Sequence, residues 1–237
     1  MKQLVILLMV GFLYLPLNAQ RIIEKNIGLN NRTVSVDVKF ASDIKVKTWD
    51  KSTVYFKAEI MTEGEKYLDM YKLDVKESSS SITITSETKA IFKALQEERD
   101  KNRPDGKKRY YFTYQMYQFD YTLYVPKNAN FSVSSINGDL QAEIIEGDFT
   151  ADLINGTIDI KKYKGDLDLK TINGEIDVTL TDTTFSAETV HGQIYADEKL
   201  DLQVTDRHVG QKVKGNFGNA TNSLRLDTVN GNMYLRL

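Results

Sequence analysis

One residue type keeps time through the second half of this chain. Gly138, Gly147, Gly156, Gly165 and Gly174 stand nine residues apart, Thr183 takes the next slot, and Gly192 follows on schedule. Two positions after each slot come Leu140, Phe149, Ile158, Leu167, Ile176, Phe185 and Ile194. Four positions after come Ala142, Ala151, Ile160, Leu169, Val178, Ala187 and Ala196. The residues between them are polar except Tyr195. Alternation with period two means strands with one buried face. Each nine-residue unit is therefore one short strand plus one turn.

The residue before each slot divides the units into two kinds. Asn137, Asn155, Asn173 and His191 alternate with Glu146, Lys164 and Asp182, so the full period is eighteen. Asn-Gly adopts positive φ cheaply, which suits a tight corner; it recurs at Asn230-Gly231. A strand-built period near twenty signals a stacked array.

Two arrays fit. In a parallel β-solenoid, residues eighteen apart are stacked ~4.8 Å from each other, which sets Glu143 on Lys161, and Asp152 on Lys170 on Glu188. In an antiparallel meander, Asp159, Asp168 and Asp177 form one row, and like charges directly opposite are unfavourable. The charges favour an all-β fold built as a right-handed parallel β-helix of ~18-residue coils, with the meander or sandwich as the alternative. No coil stands alone: burying an apolar side chain yields roughly 1.5–3 kcal/mol, against about 1–2 kcal/mol per residue for ordering the backbone.

After Gly192 the clock falters. Residues 199–204 still alternate, 206–222 read as a long glycine-containing loop, and 223–237 resume as the final coils, with Leu235 and Leu237 helping to close the core. The front half reads as irregular strands over 33–40, 43–49, 53–60, 71–77 and 81–86. A helix is expected over 88–102, where Ile91, Ala94 and Leu95 share a face and Pro104 follows as a stop. An aromatic strand or hairpin covers 109–126. Residues 20–126 thus form an irregular β region and 127–237 the repeat, continuous with it.

Residues 1–19, "MKQLVILLMVGFLYLPLNA", have a basic start, an apolar middle and a small final residue. That is the layout of a secretory signal peptide cleaved after Ala19. The mature form then has no transmembrane span, and the protein is exported to the periplasm, cell surface or medium. Its formal net charge of −2 offers no basic face to nucleic acid. There is no cysteine, so no disulfide contributes.

Catalytic and metal chemistry find little support. His191 and His208 lack metal-ligand spacing, and no Ser-His-Asp or Cys-His arrangement is credible. The Gly-Asp pairs at 138–139, 147–148 and 165–166 lack the second glycine of calcium-binding nonapeptides, so they read as solvated turns. Asp159, Asp168 and Asp177 suggest a polysaccharide-acting enzyme only if one carboxyl is held neutral; beside lysines they read as a charged face. No cofactor, metal or catalytic residue is assigned. The Asn137, Asn155 and Asn173 column reads as an amide ladder up the stack. The possible binding surface is the aromatic stretch, with Tyr110, Tyr111, Tyr114, Tyr117 and Tyr121, although alternating aromatics more often mark a buried face.

The segment "DYTLYVPKNANFSVSSINGDLQAE" (120–143) resembles the hallmark of a bacterial family of β-strand-repeat domains of unknown function, labelled putative adhesins and related to the head domains of auto-transporter-type adhesins. The matching positions are Val125, Pro126, Phe131, Val133, Ser135, Asn137, Gly138, Asp139 and Leu140. The resemblance implies export to a bacterial envelope and a β-helical fold, and carries over no binding residues. The expected function is a non-enzymatic scaffold or adhesin-like module whose partner is an envelope protein or glycan. The alternatives are a polysaccharide-acting enzyme on the same fold, or a periplasmic regulatory or sensing domain.

Overall fold

The computed structural model describes residues 19–101, 116–206 and 209–237; of the expected leader, only Ala19 falls among them. In chain order the elements are β1 (Ala19–Gly28), β2 (Thr33–Asp37), β3 (Phe40–Trp49), β4 (Thr53–Thr62), α1 (Glu65–Leu68), β5 (Lys72–Glu77), β6 (Ser81–Glu87), α2 (Lys89–Lys101), β7 (Tyr117–Pro126) and β8 (Ala129–Ala142). There follow β9 (Ile145–Asn155), β10 (Ile158–Ile160), β11 (Tyr163–Lys164), β12 (Leu167–Asn173), β13 (Ile176–Thr179), β14 (Thr183–Thr189), β15 (Ile194–Ala196), β16 (Leu202–Asp206), β17 (Gln211–Phe217), β18 (Asn222–Asn230) and β19 (Met233–Arg236).

Eighteen-residue stacking is present from β8 to β13. Phe131 pairs with Phe149 and Phe149 with Leu167, all in parallel register. On the other side of each coil, Leu140 pairs with Ile158 and Ile158 with Ile176. The alternative arrangement, an antiparallel meander, does not occur here, because successive coils run parallel. Asp159 does lie beside Asp177, but Asp168 pairs with Thr150 on the opposite side of the stack.

The strands form two faces that enclose one core. The first face runs β5, β6, β2, the start of β8, β9, β12, β18, β14, β17, β16. The second runs β1, β4, β7, β3, the end of β8, β10, β13, β19, β15. The middle is parallel; the first face is antiparallel at both ends, and the second only at its β1–β4–β7 end. The fold is therefore all-β with one large mixed sheet and no closed barrel, rather than a uniform parallel coil.

Apolar columns run up the inside. Val34, Phe131, Phe149, Leu167, Leu224 and Phe185 form one, with the rings of Phe131 and Phe149 stacked at 4.6 Å. These side chains are buried, and their removal from water is what holds coil to coil. The front half joins the same core, since β2 and β3 stack directly on β8. Helix α2 buries Ile91 and Leu95, one turn apart, against it.

The C-terminal region departs from expectation. Thr171 does not meet Thr189, although they are eighteen residues apart. The last coil, β18–β19, inserts between them: Thr171 pairs with Thr228, and Thr228 with Thr189. Consequently Lys170 lies beside Asp227 rather than Glu188. The segment expected as a loop over 206–222 contains β17, which pairs antiparallel with both β14 and β16. Leu235 is buried, but Leu237 is exposed and closes nothing.

Candidate functional site

The corner residues form a ladder. The Asn155 amide donates to Asn137 Oδ1 at 3.0 Å, Asn173 to Asn155 at 2.8 Å, and Asn230 to Asn173 at 2.8 Å. His191 lies on the coil beyond Asn230, with its backbone N–H bonded to Val229.

The glycines serve two purposes. Gly138, Gly147 and Gly165 adopt positive φ. Gly156, Gly174, Gly192 and Gly231 do not, so the conformational reason for Asn-Gly fails there. At these positions a Cβ would lie 1.8–2.1 Å from the carbonyl oxygen of the stacked glycine. Close backbone approach excludes any side chain. The Gly-Asp carboxylates cap the next coil: Asp139 accepts from the Thr157 N–H at 2.7 Å, and Asp166 from Ser223 at 2.8 Å. Among the described residues no group of three or more His, Asp or Glu could hold a metal.

The carboxylates weighed as catalytic are ion-paired. Asp159 meets Lys161 at 2.8 Å, Asp168 meets Lys170 at 2.9 Å, and Asp177 is gripped by both Nε and Nη2 of Arg236 at 2.6 Å. Asp168 lies on the face opposite the other two.

The aromatic stretch divides. Tyr110, Tyr111 and Tyr114 lie outside the described residues. Tyr117 and Tyr121 are buried, which corrects their assignment to a binding surface. In β7 the odd positions face inward, where Tyr121 packs on Phe56 and bonds to the Tyr71 hydroxyl. Burial pushes the Tyr121 hydroxyl up to about 12. Tyr117 and Asn137 are brought together in a cleft of about 510 Å³, lined also by Phe40 and Phe92.

An outward-facing aromatic cluster comes from three other positions. Trp49 on β3, Tyr55 on β4 and Tyr124 on β7 point outward from adjacent strands of the second face, each half-buried. Their ring centroids lie 5.0 Å (Trp49–Tyr124), 5.7 Å (Tyr55–Tyr124) and 6.2 Å (Trp49–Tyr55) apart. The Trp49 indole N–H donates to the Thr53 carbonyl at 2.7 Å, which fixes the ring. Lys51 sits 4.5 Å over the Trp49 ring and Lys47 5.9 Å from that of Tyr124, a favourable cation–ring arrangement. Tyr55 donates to the Glu24 carboxylate at 2.7 Å, and that bond raises its hydroxyl to about 12. The outward parity of these three residues is readable in their strands. Their convergence is not, since 49, 55 and 124 meet only through cross-strand pairing.

A scan against protein-family models and a search of curated proteins found no match. Among solved structures the chain is similar to a putative cell adhesion protein from Clostridium sporogenes, at 12% identity and TM-score 0.49, over 92% of this chain and 99% of that one. It is also similar to putative adhesins from Bacteroides fragilis (10% identity, TM-score 0.34, 91% and 97% covered) and Parabacteroides merdae (14%, 0.33, 74% and 69%). The Bacteroides and Parabacteroides neighbours carry the same adhesin label as the family that the segment around Val125-Pro126 resembles.

Proposed function

We propose that this chain is an exported, non-enzymatic binding module of a bacterial envelope, adhesin-like or scaffolding, whose ligand side is the outer aromatic face. The observation that carries the reading is the Trp49–Tyr55–Tyr124 cluster. Rings held on the solvent side of a rigid sheet offer a stacking surface at little entropic cost, and amphipathic aromatics favour ligands with one apolar face and polar edges. Sugar rings have that character, so a glycan is the favoured partner over an envelope protein. The scaffold is a right-handed parallel β-helix with antiparallel ends; parallel strands joined within one sheet cross over right-handedly in nearly all cases. Residues 1–19 act as the export signal, and N-terminal sequencing of envelope material should begin at Gln20.

Trp49 is the single tryptophan, so its fluorescence reports directly on the site. Titration with a panel of soluble glycans should change the emission, and Trp49→Ala should abolish binding measured by calorimetry. Unchanged calorimetric binding in Trp49→Ala would locate the ligand elsewhere.

A further inference from the structure

A second aromatic surface lies on the same outer face, at the far end of the sheet. Tyr195 on β15 and Tyr234 on β19 stack with ring centroids 5.3 Å apart and planes at 11°, and Tyr195 is 52% exposed. One row of paired outward residues joins the two regions: Thr122, Lys45, Gln141, Asp159, Asp177, Tyr234, Tyr195. Thr122 is two residues from Tyr124, on the same side of β7. From β7 to β19 there are five strand steps, roughly 24 Å at about 4.8 Å each. Between them lies a shallow depression of about 270 Å³ lined by Lys45, Lys47, Gln141, Glu143, Asp159 and Lys161.

We infer that this face is one extended track for an acidic glycan chain, with Trp49, Tyr55 and Tyr124 as one stacking platform and Tyr195 with Tyr234 as the other. The inference rests on the glycan reading above and adds length and charge to it. The length follows from the separation, which spans several sugar units and leaves a mono- or disaccharide on one platform only. The charge follows from the cations. Asp159 and Asp177 are already neutralised by Lys161 and Arg236, which among the described residues leaves Glu143 as the one unpaired carboxylate of the depression against two unpaired lysines there, Lys45 and Lys47. Among the described residues Lys45, Lys47 and Lys51 form no ion pair. Their ammonium groups are available to carboxylates spaced along the chain.

The test is calorimetry on the purified protein with oligogalacturonates of two to eight units, and with cello-oligosaccharides of the same lengths as uncharged controls. Affinity for the acidic series should rise with length, by about tenfold or more from dimer to hexamer, or about 1.4 kcal/mol. Tyr234→Ala, and Tyr195→Ala as the milder change, should remove that gain and leave dimer affinity unaltered. The double variant Lys45→Gln/Lys47→Gln should weaken the acidic series alone. Affinity independent of length, or hexamer binding indifferent to both tyrosine variants, would overturn the track but spare the first platform. An equal length gain with uncharged oligomers would overturn the acidic preference. Failure of both series to bind at all, with the fold intact, would remove the glycan reading itself.

Discussion

Substituting Gly174 by alanine tests the packing of the corners directly. A Cβ at this position lies 1.9 Å from the carbonyl oxygen of Gly156 and 2.6 Å from its carbon. Non-bonded contact with carbon needs about 3.5 Å, so the two coils must part by more than an ångström. Two hydrogen bonds bridge that gap: the Gly156 N–H to the Asn173 carbonyl at 3.1 Å, and the Asn173 amide to Asn155 at 2.8 Å. Stretched by that amount they leave bonding range, at about 0.5–1.5 kcal/mol each. Backbone displacement from overpacking adds about 1–3 kcal/mol. The alanine variant should therefore lose about 2–6 kcal/mol, read from urea unfolding followed by circular dichroism. Gly174→Asn separates the two reasons for a glycine. Asparagine tolerates positive φ, but Gly174 has none, so it should fail as alanine does. Gly64→Ala is the control, because its nearest atoms are 4.0 Å away; it should change stability by less than about 1 kcal/mol. If Gly174→Asn were as stable as the parent, close approach would not be why glycine is there.

Other consequences are equally measurable. Asn173 both donates and accepts in the amide ladder whereas Asn137 only accepts, so Asn173→Ala should cost roughly twice as much as Asn137→Ala, at about 0.5–1.5 kcal/mol per bond. Ending the chain before Asn222 removes β18 and β19 and leaves β12 and β14 without their shared neighbour; amide exchange should accelerate in 183–196 while 33–49 stays protected. Tyr121 has its hydroxyl raised from 10.0 to about 12 by burial. The unfolded phenol ionises first, so this contribution is intact below pH 10 and fades as pH rises toward 12, by about 2–3 kcal/mol. Tyr121→Phe should shrink the alkaline loss in unfolding experiments at pH 9 and 11.

Much of the fold was legible because its signals are local. Helix α2 runs from Lys89 to Lys101 within the stretch 88–102 marked by Ile91, Leu95 and the following Pro104. Alternation marked β2 to β6, since a strand with one wet face must change polarity at every residue. The same rule placed the inward row of Leu140, Ile158 and Ile176. The aromatic stretch shows where this legibility stops. Alternation says that Tyr117, Phe119 and Tyr121 share a side, but not whether that side is wet. Only the packing of β7 between β3 and β4 puts them inside and leaves Tyr124 beside Trp49 and Tyr55.

The repeat by itself determined the strand rhythm, the inward side chains and the asparagine at each Asn-Gly corner, because each of these depends on residues within one coil. The tertiary structure alone decided the order of the coils. The last one, with Leu224, Leu226, Thr228, Asn230, Gly231, Met233 and Leu235, presents the same profile as Leu167, Leu169, Thr171, Asn173, Gly174, Ile176 and Val178. Coils of equal shape can stack in more than one order at nearly equal local free energy. The choice falls to the whole assembly, in which β17 and β16 complete the edge beside β14 and the final coil fills the slot behind it.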